Sequence, residues 1–106
     1  MERHHITIIK QIKSVVKQTD PDAVVILYGS RAIGKAKKNS DWDILILLDK
    51  SAVSLKEEQL FRHNLYELEL ETGEPISTFV YAAEDWNTRL SATPLYQAVK
   101  ENGIIL

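Results

Sequence analysis

Gly29-Ser30-Arg31-Ala32, then the loop Ile33-Gly34-Lys35-Ala36-Lys37-Lys38-Asn39-Ser40, then Asp41-Trp42-Asp43-Ile44-Leu45-Ile46-Leu47-Leu48, is the stretch from which the rest of the chain is read. It is flanked by two apolar runs, Ala23 to Tyr28 before it and Ile44 to Leu48 at its end. Continuous apolar runs of this length, rich in β-branched residues, predict strands buried on both faces. Gly29 ends the first run, where a sharp turn or a close backbone approach is expected. Alternate residues on a strand share a face, with Cα atoms roughly 6.5–7 Å apart. Asp41 and Asp43 are therefore expected to project together, and Trp42 to point the other way into the core.

Working outward, residues 4–18 place Ile8 or Ile9, Ile12, and Val15 or Val16 at helical spacing, with Lys10, Lys13 and Lys17 between them. Asp20-Pro21-Asp22 stops that helix. Ser54 followed by Glu57 has the spacing of a capping box. The helix it opens carries Leu60, Phe61, Leu65 and Leu68 on one face and ends near Gly73. Residues 75–83, around Ile76-Ser77-Thr78-Phe79-Val80-Tyr81, predict a third strand. Thr93-Pro94 reads as an N-cap with proline at the first helical position, and Gly103 closes the last helix. The order is α-β-β-α-β-α with an apolar tail, Ile104-Ile105-Leu106. We expect an α+β, two-layer fold, a small mixed sheet with helices mainly on one face.

At 106 residues and 44% apolar composition, the chain suits one globular domain spanning 1–106. A formal net charge of −2 gives no global basic signature for duplex nucleic acid. Cysteine is absent, which removes disulfides and thiolate metal sites. No long apolar run suggests a signal peptide or a membrane span, so the expected location is the cytoplasm.

The chemistry lies in the opening stretch. Two carboxylates aimed at one point repel each other and are penalised by burial, so a metal is a natural occupant. Mg²⁺ takes oxygen ligands and commonly one or two carboxylates plus substrate phosphates. An isolated Asp-x-Asp is more often a solvated strand end, but the Gly-Ser element shifts that balance. A short helix starting at Ser30 would aim free N–H groups and a positive dipole end at a phosphate. Ser30 as a plain turn cap is compatible with that role. Arg31, Lys35, Lys37 and Lys38 add local positive charge to a chain that is negative overall. His4 and His5 fall at a frayed N-terminus, where neighbouring helical positions do not share a face, and His63 reads as a surface residue. Trp42 reads as core, Trp86 as packed on the last helix, and Tyr66, Tyr81 and Tyr96 as amphipathic packing residues. Glu57, Glu58, Glu67, Glu69 and Glu71 make one helix negative, which fits a solvated face or a basic partner equally.

These residues resemble the nucleotidyltransferase fold of the DNA polymerase β superfamily, and its minimal nucleotidyltransferase branch in particular. The signature of that family is Gly-Ser, ten residues, then Asp-x-Asp, here Gly29-Ser30 and Asp41-Trp42-Asp43. Arg31-Ala32-x-Gly34, Ser40 and the apolar strand after Asp43 extend the likeness. The resemblance implies that Gly29, Ser30, Arg31 and Ser40 bind the nucleotide, and that Asp41 and Asp43 are catalytic and bind Mg²⁺ or Mn²⁺. It implies transfer of a nucleoside monophosphate, with ATP the expected donor, to a protein or small-molecule hydroxyl. It also implies a HEPN-domain partner in a toxin–antitoxin pair, within a homo- or hetero-oligomer.

One feature departs from the family. A third carboxylate is expected on the next central strand, at Ser77 or Thr78, and neither residue is acidic. A hydroxyl is a weak Mg²⁺ ligand and a poor base at neutral pH. Glu74 would share strand parity with Thr78 but lies about 13 Å along the strand from it. Glu71, Glu84 and Asp85 are no better placed. The departure motivates a second reading, a binding module that keeps the fold and has lost the chemistry.

Overall fold

The computed structural model describes residues 3–106, so Met1 and Glu2 lie outside the described residues. The chain runs through helix α1 (Arg3–Thr19), strands β1 (Val24–Tyr28) and β2 (Trp42–Leu48), and helix α2 (Leu55–Thr72). Strand β3 (Ile76–Ala82), helix α3 (Ala83–Asn87), a 3₁₀ turn (Arg89–Ala92), helix α4 (Pro94–Asn102) and strand β4 (Ile104–Ile105) follow. The sheet order is β3-β2-β1-β4. β1 pairs antiparallel with both β2 and β4, and β2 pairs parallel with β3. The parallel pair needs a crossover, and α2 provides it.

Strand alternation divides the core in two. Val25, Leu27, Trp42, Ile44, Ile46, Leu48 and Val80 face Ile8, Ile12 and Val16 of α1 and Phe61, Leu65 and Leu68 of α2. The opposite face presents Ile26, Tyr28 and Leu45 to Trp86 of α3 and Val99 of α4. The two long helices thus cover one face, and only short elements sit on the other. This mixed α+β sheet is the architecture expected from the sequence.

Local signals act as read. Ser54 Oγ accepts from the Glu57 N–H at 3.1 Å, and Glu57 Oε1 accepts from the Ser54 N–H at 3.2 Å. Thr93 caps α4 through the Tyr96 N–H, with Pro94 at its start. Trp86 packs on Tyr96 of α4, ring centroids 5.1 Å apart.

Four expectations need correction. Leu60 is half exposed and Tyr66 slightly more so, because both fall on the outer side of α2. β2 begins two residues before the apolar run, as Trp42 already pairs with β3. The apolar tail is a strand, Ile104 and Ile105 completing the free edge of β1. The start of α1 is not frayed, since His4 bonds Glu74 in the loop ahead of β3 and His5 packs against Trp42 at the start of β2.

Candidate functional site

β1 ends at Tyr28, and Gly29 turns the chain with φ +74°. The Gly29 carbonyl accepts from the N–H groups of Ala32 and Ile33, at 3.1 and 3.3 Å, and the Ser30 carbonyl accepts from the Lys35 N–H at 3.0 Å. These are successive turns, and the short helix anticipated at Ser30 does not form. The turn brings Gly29 against β2 so closely that a Cβ there would lie 2.1 Å from Asp43 Oδ2. Glycine at this position is thus fixed by two requirements, the left-handed backbone and the space taken by the Asp43 carboxylate.

Asp41 stands exposed just before β2, and Asp43 is half-buried on it. Asp43 pairs with Tyr28 across the antiparallel ladder and with Ser77 across the parallel one. The three side chains form one row on the face of the sheet that carries Ile26 and Leu45, at the end beyond those residues. The register also decides between the two candidate positions for a third acid. Ser77 flanks Asp43, whereas Thr78 pairs with Ile44 and is buried on the α1–α2 face.

The electrostatics of the row favour a cation. Burial, and then the charge of Asp41, push the Asp43 carboxyl above its ordinary range. Burial, Asp43 and Tyr81, in that order, push the Tyr28 hydroxyl up to about 12. Both shifts report that added negative charge is disfavoured here. Two carboxylates are the protein share of ligands that Mg²⁺ commonly takes, with phosphate oxygens and water completing the set. No cluster of three or more His, Cys, Asp or Glu side chains able to hold a metal ion forms among the described residues.

Arg31 and Ser40 sit differently from Gly29 and Asp43. The Arg31 guanidinium is buried above the Trp42 ring, its Cζ 4.5 Å from the ring centroid, on the face opposite Asp43. It donates to the carbonyl of Ser40 at 2.8 Å and to that of Lys38 at 3.5 Å. The Ser40 hydroxyl accepts from the Lys37 N–H at 2.8 Å. Both side chains therefore hold the loop in shape. Lys37 and Lys38 line a cleft of about 540 Å³ with His4, His5, Arg31 and Glu74, on that same opposite face.

Sequence reasoning missed the roles of Tyr28 and Glu74. Tyr28 directly precedes Gly29, but its place beside Asp43 depends on the β1–β2 register. Glu74 accepts from Trp42 Nε1 at 3.1 Å, bonds His4 Nε2 at 2.7 Å and lies 3.9 Å from Arg31 Nη2. It faces away from the aspartates and does not replace the third acid.

The sequence matches the family described as the nucleotidyltransferase domain over residues 9–103. No individually curated protein matches it. Among solved structures, the fold is similar to a crystal structure of a toxin–antitoxin with AMP-PNP. That match has 18% identity and a TM-score of 0.66, covering 91% of this chain and 69% of the other. Two mutants of the toxin–antitoxin MntA-HpeT are similar at 18% and 19% identity, with TM-scores of 0.65 and 0.64. They cover 91% and 92% of this chain and 69% of each of theirs. With the family matched over almost the whole chain and the Gly-Ser turn set against the Asp-x-Asp strand, this protein belongs to the nucleotidyltransferase domain family.

Proposed function

We propose that this domain is a minimal nucleotidyltransferase. It transfers a nucleoside monophosphate, AMP from ATP in the first instance, to a hydroxyl of a protein or small molecule. The observation that carries the reading is the apposition of the Gly29-Ser30 turn and the Asp43 carboxylate, with Asp41 raising the charge at the same spot. Asp41 and Asp43 would hold Mg²⁺ or Mn²⁺, which when bound neutralises phosphate charge and activates the attacking oxygen. The N–H groups of the Gly29–Ser30 turn and the Ser30 hydroxyl orient the phosphates. Arg31 and Ser40 support the nucleotide by fixing the loop. Positioning and electrostatics are the main contributions a protein makes to phosphoryl transfer.

The partner in this reading is a HEPN-domain protein, with the domain acting as the antitoxin in the cytoplasm. The toxin–antitoxin similarity of the fold supports it. A direct test is incubation with labelled ATP, Mg²⁺ and a candidate HEPN partner. Label should appear on the partner and vanish with Asp41→Ala plus Asp43→Ala. Label that persists in that double variant, or that never appears with any nucleotide, metal or partner, defeats the proposal.

Ser77 favours a second reading. In register beside Asp43, it leaves the row without the base that a third carboxylate would provide. In that case the domain neutralises its partner by binding alone, and neutralisation survives loss of both aspartates. Loss of neutralisation in a folded double variant excludes this alternative.

A further inference from the structure

The Asp-x-Asp pair is braced from the opposite face of the sheet by a single carboxylate. Trp42 lies between the two aspartates in the chain, so whatever fixes its backbone and ring fixes the directions in which Asp41 and Asp43 leave the strand. Four contacts fix it. Its backbone N–H donates to the Pro75 carbonyl at 2.8 Å. Its Nε1–H donates to Glu74 Oε2 at 3.1 Å. Its ring lies under the Arg31 guanidinium at 4.5 Å and meets the edge of His5 at 5.3 Å.

Glu74 is tied to nearly all of these. It directly precedes Pro75, bonds the indole, pairs with Arg31 at 3.9 Å and is gripped by His4 at 2.7 Å. Arg31 in turn holds the carbonyl of Ser40, the residue before Asp41. The side chain of Arg31 is only 5% exposed, and its Nε has no hydrogen-bond partner among the described residues. A guanidinium this buried is costly without a counter-charge. Bonds from His4 and Trp42, and the nearby Arg31, outweigh partial burial and hold the Glu74 carboxyl below its usual range, so it is an anion at neutral pH.

We propose that Glu74 is a positioning residue for the Asp41–Asp43 pair, acting through Trp42 on one side of Asp41 and through Arg31 and Ser40 on the other. It touches neither the aspartates nor the reacting groups. The metal-binding consequence rests on the nucleotidyltransferase reading above, but the mechanical brace does not.

The test compares the full chain with Glu74→Ala and Glu74→Gln at a temperature where circular dichroism shows each folded. The first readout is hydrogen exchange at the amides of Trp42 and Asp43, at the start of β2, with Leu27 in β1 as the internal control. Glu74→Ala speeds exchange at the two amides by about tenfold or more and leaves Leu27 unchanged. Glu74→Gln, whose amide oxygen still accepts from the indole, restores much of the protection. The second readout is calorimetric binding of Mn²⁺ with a non-hydrolysable ATP analogue. Affinity falls about tenfold in Glu74→Ala, the scale seen when groups orienting metal ligands are removed. It recovers in Glu74→Gln.

Unchanged exchange at Trp42 and Asp43 overturns the proposal. So does faster exchange with unaltered affinity, or a uniform rise that includes Leu27. Absence of Mn²⁺–nucleotide binding by the unaltered chain defeats the nucleotidyltransferase reading instead, and exchange alone then decides the brace. If Glu74→Ala does not fold, Glu74→Asp keeps the charge, withdraws it from Trp42 by one methylene and carries the same comparison.

Discussion

Replacing Gly29 with alanine tests whether the turn and the carboxylate are as tightly coupled as the structure shows. The backbone at Gly29 has φ +74°, where a residue with a Cβ pays roughly 1–2 kcal/mol. The new Cβ would also sit 2.1 Å from Asp43 Oδ2 and 3.0 Å from its Cγ. Asp43 must swing aside, and an off-rotamer side chain costs roughly 0.5–1.5 kcal/mol. The sum is about 1.5–3.5 kcal/mol. In a chain of this size that lowers the melting temperature by roughly 10–20 °C.

Gly34 provides the internal reference. It has the same φ of 74°, but a Cβ there meets nothing within 4 Å, so Gly34→Ala pays the backbone penalty alone. The assay is urea unfolding at neutral pH of the four chains in a Gly29→Ala and Asp43→Ala cycle, with Gly34→Ala beside them. Removing the Asp43 carboxylate leaves only its Cβ, 3.3 Å away, so the Gly29→Ala penalty should fall to that of Gly34→Ala. A coupling energy of about 1 kcal/mol is expected. Equal penalties at Gly29 and Gly34, with no coupling to Asp43, would refute the reasoning.

Three further outcomes follow from the same row. Because the Asp43 pKa is raised, the native state holds its proton longer than the unfolded chain, and stability falls as pH rises from the ordinary value of 3.8 to the native one. Asp43→Asn should therefore stabilise at neutral pH, and thermal melts should show the gain vanish near pH 3, where the carboxyl is protonated in both states. Ser77→Asp puts a third carboxylate beside Asp43, so it should lower the melting temperature in EDTA and raise label transfer at least tenfold, since a positioned base contributes roughly 10²–10⁴-fold. Transfer that stays flat would mean that the missing acid is not what limits the chemistry. Tyr28 should ionise near 12 by ultraviolet absorbance, against an ordinary value of 10.0, and Asp43→Asn should bring its midpoint down. A Tyr28 midpoint that does not move in Asp43→Asn would show that Asp43 does not face it.

Much of this protein is written locally. The α2 capping box and the Thr93-Pro94 start of α4 need only neighbours a few residues away, so short-range chemistry determines them. The strands of β1 and β2 follow from β-branched apolar runs, and Gly29-Ser30 with Asp41-x-Asp43 follow from spacing along the chain. The two-residue strand Ile104–Ile105 is too short to carry a pattern of its own and exists because the edge of β1 is open to it. The start of α1 reads as a frayed end until Glu74, seventy residues on, meets His4.

The sequence by itself determined the fold family, the two aspartates and the turn that faces them, because those depend on residue type and on period along the strand. Tertiary structure decided which hydroxyl flanks Asp43, because Ser77 and Thr78 differ by one step of strand register, and one step moves a side chain to the other face. It also decided that Tyr28 joins the row while Arg31 and Glu74 brace it from behind. Those assignments depend on which strands pair and in what register, and no local pattern in the chain specifies that.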